Sequence, residues 1–141
     1  MFDRFLVPLD GSKLAEKAAV TAAELARRCR AELVFLMVCQ SPEKQSEAAE
    51  YLDKMSEAAR REGLVARGEA YLGEPADRIV RAALEDSVDL VIMSSHGRTG
   101  LARTVFGSVA ETVMRQAHCP VMVVKAHRPA GGGDQLEYAV A

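Results

Sequence analysis

The chain is 141 residues long, 49% apolar and 27% charged, with a formal charge of −2. That length fits one domain with a real hydrophobic core, and the near-neutral charge and absence of Trp argue against a basic, base-stacking surface for nucleic acid. Its three cysteines, Cys29, Cys39 and Cys119, form neither a CxxC pair nor an even disulfide framework, so a cytoplasmic location is expected, with each thiol a small core hydrophobe.

The opening Met-Phe-Asp-Arg carries no signal-peptide core, and Phe5 to Leu9 reads as a buried strand ended by Asp10-Gly11-Ser12. Ser12 is placed to cap a helix in which Leu14, Ala18, Ala22, Leu25 and Ala26 recur at helical spacing. Leu33 to Val38 is a second strand, apolar on both faces; the run is far too short to span a bilayer, so no membrane partner is expected. Ser41-Pro42 supplies a cap and a first-turn proline for a charged helix reaching Arg61, with Ala48, Leu52, Met55 and Ala59 along one face and Gly63 ending it. Val65 to Leu72 predicts a third strand. Glu74-Pro75 opens a third helix with Ile79, Val80, Ala83 and Leu84 turned inward, and Asp89 to Met93 predicts a fourth strand. Ser108 and Glu111 have capping-box spacing at the start of a helix bearing Val109, Val113 and Ala117. Pro120 leads into a short fifth strand, Val121 to Val124.

Strict alternation of strand and helix predicts an α/β fold: one doubly wound five-stranded parallel sheet with helices on both faces. Residues 1–126 form this domain, and residues 127–141, with Gly131-Gly132-Gly133, are expected to be a flexible tail. Ligands of such sheets bind beyond the carboxyl ends of the strands, where the strand order reverses. Leu9-Asp10, Val38 and the stretch from Met93 all end there. Ser94-Ser95-His96-Gly97, nine residues, then Gly107-Ser108 brings a glycine-bearing turn back to a helix start. Glycines permit close backbone approach to an anion and a helix start offers unpaired amides, so a phosphate suits the place. Arg98 and Arg103 lie within the intervening loop.

Val91-Ile92-Met93-Ser94-Ser95-His96-Gly97-Arg98-Thr99-Gly100, Phe106-Gly107-Ser108-Val109-Ala110-Glu111 and Cys119-Pro120-Val121-Met122-Val123-Val124 together resemble the universal stress protein family. Leu6-Val7-Pro8-Leu9-Asp10-Gly11-Ser12 is similar to its first strand and turn, and the resemblance covers about residues 3–125. It implies a Rossmann-like sheet of the adenine nucleotide alpha hydrolase type, of order 3-2-1-4-5. In one branch of the family it implies ATP binding through the pattern G-x-x-G-x9-G-[S/T]. Gly97, Gly107 and Ser108 match that pattern, while Ser94 stands where its first glycine is expected. A serine there either crowds the ribose or donates a hydrogen bond. By the same resemblance Pro8, Leu9, Asp10 and Val38 would border adenine and ribose. Met93, Ser94, His96, Gly97 and Arg98 would line the turn, and Gly107, Ser108 and Val109 the phosphates, which would themselves carry Mg²⁺. Two of these residues have plainer roles open to them, Asp10 as a turn cap and Ser108 as the capping-box residue.

No Walker A loop, GxGxxG or phosphoacceptor Asp is present, and no acid, base and nucleophile cluster together. ATP binding with at most slow hydrolysis is therefore expected. The alternatives are a dimeric interaction module without nucleotide, working on an unknown downstream protein partner, and a slow ATPase timer. The apolar strand Val121-Met122-Val123-Val124 would lie at the sheet edge. Uncovered edges invite pairing and family members are similar in pairing this strand with a twofold mate, so a homodimer is expected.

Overall fold

The computed structural model describes residues 1–96, 107–127 and 137–140. Along the chain run β1 (Arg4–Pro8), α1 (Lys13–Cys29), β2 (Glu32–Cys39), α2 (Pro42–Arg61), β3 (Ala66–Leu72), α3 (Pro75–Glu85), β4 (Leu90–Ser94), α4 (Ser108–Gln116), β5 (Val121–His127) and β6 (Glu137–Val140). The five strands predicted from the sequence are parallel and stand in the order β3-β2-β1-β4-β5. A sixth strand from the carboxyl-terminal tail, for which no role was expected, pairs antiparallel with β5. The outer edge of β5, expected from the sequence to be uncovered, is therefore paired within the chain from Val124 to His127.

Helix starts follow the local chemistry. The Ser12 hydroxyl accepts from the amide of Ala15 and that of Ser41 from Lys44, with Pro42 at the first helical position. The Glu74 carboxylate caps α3, accepting from the amides of Ala76 and Asp77. The expected capping box at Ser108 does not form. Gly107 is the N-cap and no side chain among the described residues caps α4, because the helix begins one residue earlier than the box requires: the Glu111 amide already donates to the Gly107 carbonyl.

Period-two alternation divides the core. Phe5, Val7, Leu33, Phe35, Leu90 and Ile92 face α1 and α2 on one side of the sheet. Leu6, Val34, Leu36, Val91 and Met93 face α3 and α4 on the other. α1 buries Ala15, Ala18, Ala19, Ala22 and Ala26, a face of small side chains that lets the helix lie close to the strands. α2 comes equally close to β3 at Gly68, where a Cβ would stand 2.6 Å from that of Leu52. On α3 the predicted Ile79 and Ala83 are buried with Ala76 and Ala82, and Val80 packs against the same cluster, whereas Leu84, expected inward, is 65% exposed. At the amino ends of the strands, Asp89 accepts from the backbone amides of Asp3 and Arg4. Arg4 in turn bonds Glu32 and the Asp86 carbonyl, tying β1, β2 and the end of α3 together. The opposite ends are left for the cleft.

Candidate functional site

β1 lies between β2 and β4, and successive connections leave it in opposite directions, which opens a crevice beyond the carboxyl ends of these strands. A cleft of about 540 Å³ occupies that place. Ten of the twelve predicted site residues line it: Pro8, Leu9 and Asp10 from β1 and its turn, Val38 from β2, Met93, Ser94 and His96 from β4 and its turn, and Gly107, Ser108 and Val109 at the start of α4. Gly97 and Arg98 lie outside the described residues, as does Arg103.

The turn after β4 and the start of α4 are held together by backbone. The Gly107 amide donates to the Ser95 carbonyl at 2.8 Å, and the Ser95 amide to the Val124 carbonyl at 3.0 Å. A Cβ on Gly107 would meet the Ser95 oxygen at 3.3 Å and the His96 Cα at 3.5 Å, so a side chain at this junction would press the helix start away from the turn. The Ser108 hydroxyl is exposed at the cleft and does not cap its own helix. Among the described residues, the first turn of α4 thus presents backbone amides without a side-chain cap, together with the positive end of the helix dipole.

Ser94 is 8% exposed and its Oγ donates to the His96 carbonyl at 2.8 Å. The hydroxyl is therefore spent within the turn, where it pins the backbone. Ser95 Oγ lies 3.1 Å from His96 Nδ1, which orients the imidazole. Asp10 takes the turn-capping role allowed by the sequence, accepting from the Ser12 amide at 2.9 Å, while also lining the cleft.

One wall was missed by the sequence reading. Lys44, Glu47, Ala48 and Tyr51 of α2 line the cleft opposite α4. Their spacing is helical, but nothing in the sequence indicates that this part of α2 leans over the end of β2. The Tyr51 hydroxyl donates to the Glu16 carboxylate, linking α2 to α1. Burial, this bond and the negative charges of Glu16 and Asp10 hold the Tyr51 phenol well above its ordinary range. Cys39, also at the wall, has its thiol pushed up by burial and drawn partly back by the Lys44 charge, so it stays a thiol rather than a reactive thiolate. Among the described residues no group of three His, Cys, Asp or Glu side chains is arranged to hold a metal ion, and no helix is long and apolar enough to cross a membrane.

A doubly wound α/β domain with its cleft at the strand-order reversal is the class that this fold and site define. Residues 1–125 match the universal stress protein family, and the chain belongs to it. The universal stress protein MJ0531 of Methanocaldococcus jannaschii is 33% identical to it, over 89% of this chain and 83% of that protein. The solved structure of MJ0577, from the same organism, is similar with a TM-score of 0.81 at 28% identity, covering 92% of this chain and 99% of the other. The universal stress protein of Archaeoglobus fulgidus in complex with dAMP has a TM-score of 0.71 at 26% identity, covering 87% and 98%.

Proposed function

We propose that the protein binds an adenine nucleotide, ATP with Mg²⁺ on its phosphates, in the cleft at the ends of β1, β2 and β4, and works as a nucleotide-dependent regulator in the stress response. The observation that carries this reading is the junction of the β4 turn with an α4 start that no side chain among the described residues caps. Uncapped amides at a helix start beside closely packed backbone suit an anion. Leu9, Val38 and Met93 supply apolar wall for a base. The dAMP complex of the Archaeoglobus fulgidus relative supports an adenine nucleotide as the ligand class. Mg²⁺ would ride on the phosphates, which asks few ligands of the protein, in keeping with the absence of a metal-holding carboxylate cluster among the described residues.

Ser94, which departs from the family pattern, is compatible with this reading because its hydroxyl is turned onto the His96 carbonyl. No nucleophile, base and charge-stabilising group converge among the described residues, so hydrolysis is expected to be slow at most. Self-association through the outer edge of β5 belongs to the same reading and depends on β6, which pairs with that edge.

The test begins with protein purified without added nucleotide, denatured, and its released small molecules separated by chromatography. Titration of the emptied protein with ATP and Mg²⁺ follows. Gly107→Val places a branched side chain against the Ser95 carbonyl and His96, and is expected to weaken binding at least about tenfold, some 1.4 kcal/mol. No released nucleotide and no binding at millimolar ATP would leave the dimeric interaction module as the better reading.

A further inference from the structure

A nucleotide with its base against Leu9, Val38 and Met93 and its phosphates at the start of α4 has its sugar between the two, over the ends of β1 and β4. Asp10 follows the first of these strands and Ser94 ends the second. Tyr51 comes to the cleft from α2, on the wall that the nucleotide's base and phosphates leave unused. Burial, the bond to Glu16 and the charges of Glu16 and Asp10 together keep the proton on the Tyr51 phenol, which places Asp10 within electrostatic reach of it.

The three side chains divide donors and acceptors unevenly. The Tyr51 hydroxyl donates to the Glu16 carboxylate. An ionised carboxylate only accepts, so the phenol proton is committed to Glu16 and the phenol oxygen has only lone pairs left for a ligand. The Ser94 hydroxyl has likewise given its proton to the His96 carbonyl. Asp10 is itself an acceptor, with one oxygen taking the Ser12 amide at 2.9 Å. None of the three side chains has a proton to offer at this place. The ligand group that fits it brings donors of its own, and a sugar does so through its hydroxyls.

We propose that Tyr51 is a specificity residue of the cleft: its phenol oxygen accepts from a ribose hydroxyl and so selects ribonucleotides over deoxyribonucleotides. This assignment rests on the nucleotide reading of the cleft and adds the sugar to it. Glu16 stands behind the phenol, outside the cleft lining, and acts through Tyr51 as a positioning residue. Without Glu16 the phenol turns its proton toward the cleft and loses its bias to accept. The preference is modest, about fivefold, because Tyr51 is half-buried and water takes the place of a missing hydroxyl.

Titration calorimetry compares ATP, 2′-deoxyATP and 3′-deoxyATP, each with Mg²⁺, on the parent protein and on Tyr51→Phe, Glu16→Gln and Glu16→Ala. Tyr51→Phe keeps the ring and removes the acceptor. The parent is expected to bind at least one deoxy analogue about fivefold more weakly than ATP. Tyr51→Phe then binds ATP and that analogue alike, at the parent's affinity for the analogue. Glu16→Gln, which keeps a carbonyl oxygen for the phenol, retains the preference, and Glu16→Ala loses it. A parent that binds all three nucleotides equally overturns the inference. So does a Tyr51→Phe protein that keeps the preference, or one that weakens all three nucleotides alike and so makes the phenol only a wall. A preference kept in Glu16→Ala overturns the role of Glu16. Failure of the parent to bind any of the three removes the nucleotide reading itself, and the selection of the sugar with it. Thermal unfolding checks that each variant is folded; where Tyr51→Phe is not, the parent and the two Glu16 variants decide the outcome.

Discussion

At position 94 the family pattern has glycine and this chain has serine, yet the hydroxyl faces the His96 carbonyl and the turn stays closed. Restoring glycine is therefore expected to harm the site. Ser94→Gly removes a buried hydrogen bond and adds backbone freedom to the turn, a loss of about 1 kcal/mol, or roughly fivefold in nucleotide affinity. Isothermal titration with ATP and Mg²⁺ checks this, and tighter binding by the glycine variant would show that the serine obstructs the cleft. The glycines, serines and helix start of the candidate site were legible in the sequence as types and spacings, because they are local features, whereas Pro8, Leu9, Asp10 and Val38 were assigned to adenine and ribose by resemblance to the family. The direction of the Ser94 hydroxyl was not legible, since it depends on where the His96 carbonyl falls after the turn is built. The same holds for Ser108. A capping role and a place at the cleft were both open to it, and the choice came from where the helix starts, at Gly107.

Elements were read from periodicity, and their buried faces are set by what they pack against. α3 has the length expected from its cap, but its inward face falls on Ala76, Ile79, Ala82 and Ala83, leaving Leu84 outside. α2 was read by its apolar positions alone. Its close approach to β3 depends on Gly68, which reads in sequence as an ordinary weakness in a strand. Gly68→Ala would force its Cβ to within 2.6 Å of the Leu52 Cβ. That contact lies at the stem of the side chain, where no rotamer change relieves it, so the helix must shift. A destabilisation of about 1–3 kcal/mol is expected, measured by urea unfolding; an unchanged midpoint would mean that α2 is free to move away from the sheet.

Across the molecule, α1 and α2 share one face of the sheet and are joined over the cleft by Tyr51 and Glu16. This pair makes global stability depend on alkaline pH. The Tyr51 phenol is raised in the folded protein above the ordinary value of 10.0, so between these values the native state holds a proton that the unfolded chain has lost. The stabilisation is complete below the unfolded value and falls as pH rises toward the folded one. Tyr51→Phe should be less stable than the parent by about 1 kcal/mol near neutrality and should lose stability less steeply above about pH 10. Urea unfolding at a series of pH values measures both, and parallel profiles for the two proteins would remove Tyr51 as the source.

The parallel sheet and its helices on both faces followed from the residues alone, because alternation of apolar runs with capped helical segments leaves one way to cover a sheet on both sides. The strand order 3-2-1-4-5 and the family rested on resemblance. Only the tertiary structure decided the rest, because a wall such as Lys44 to Tyr51 exists by virtue of the angle at which α2 crosses β2. The edge of β5 was decided the same way. Residues 137–140 look in sequence like the end of a glycine-containing tail, and a strand that short has no pattern to announce it. Its partner gives it its form: the unpaired backbone of β5, which arises only once the sheet is assembled.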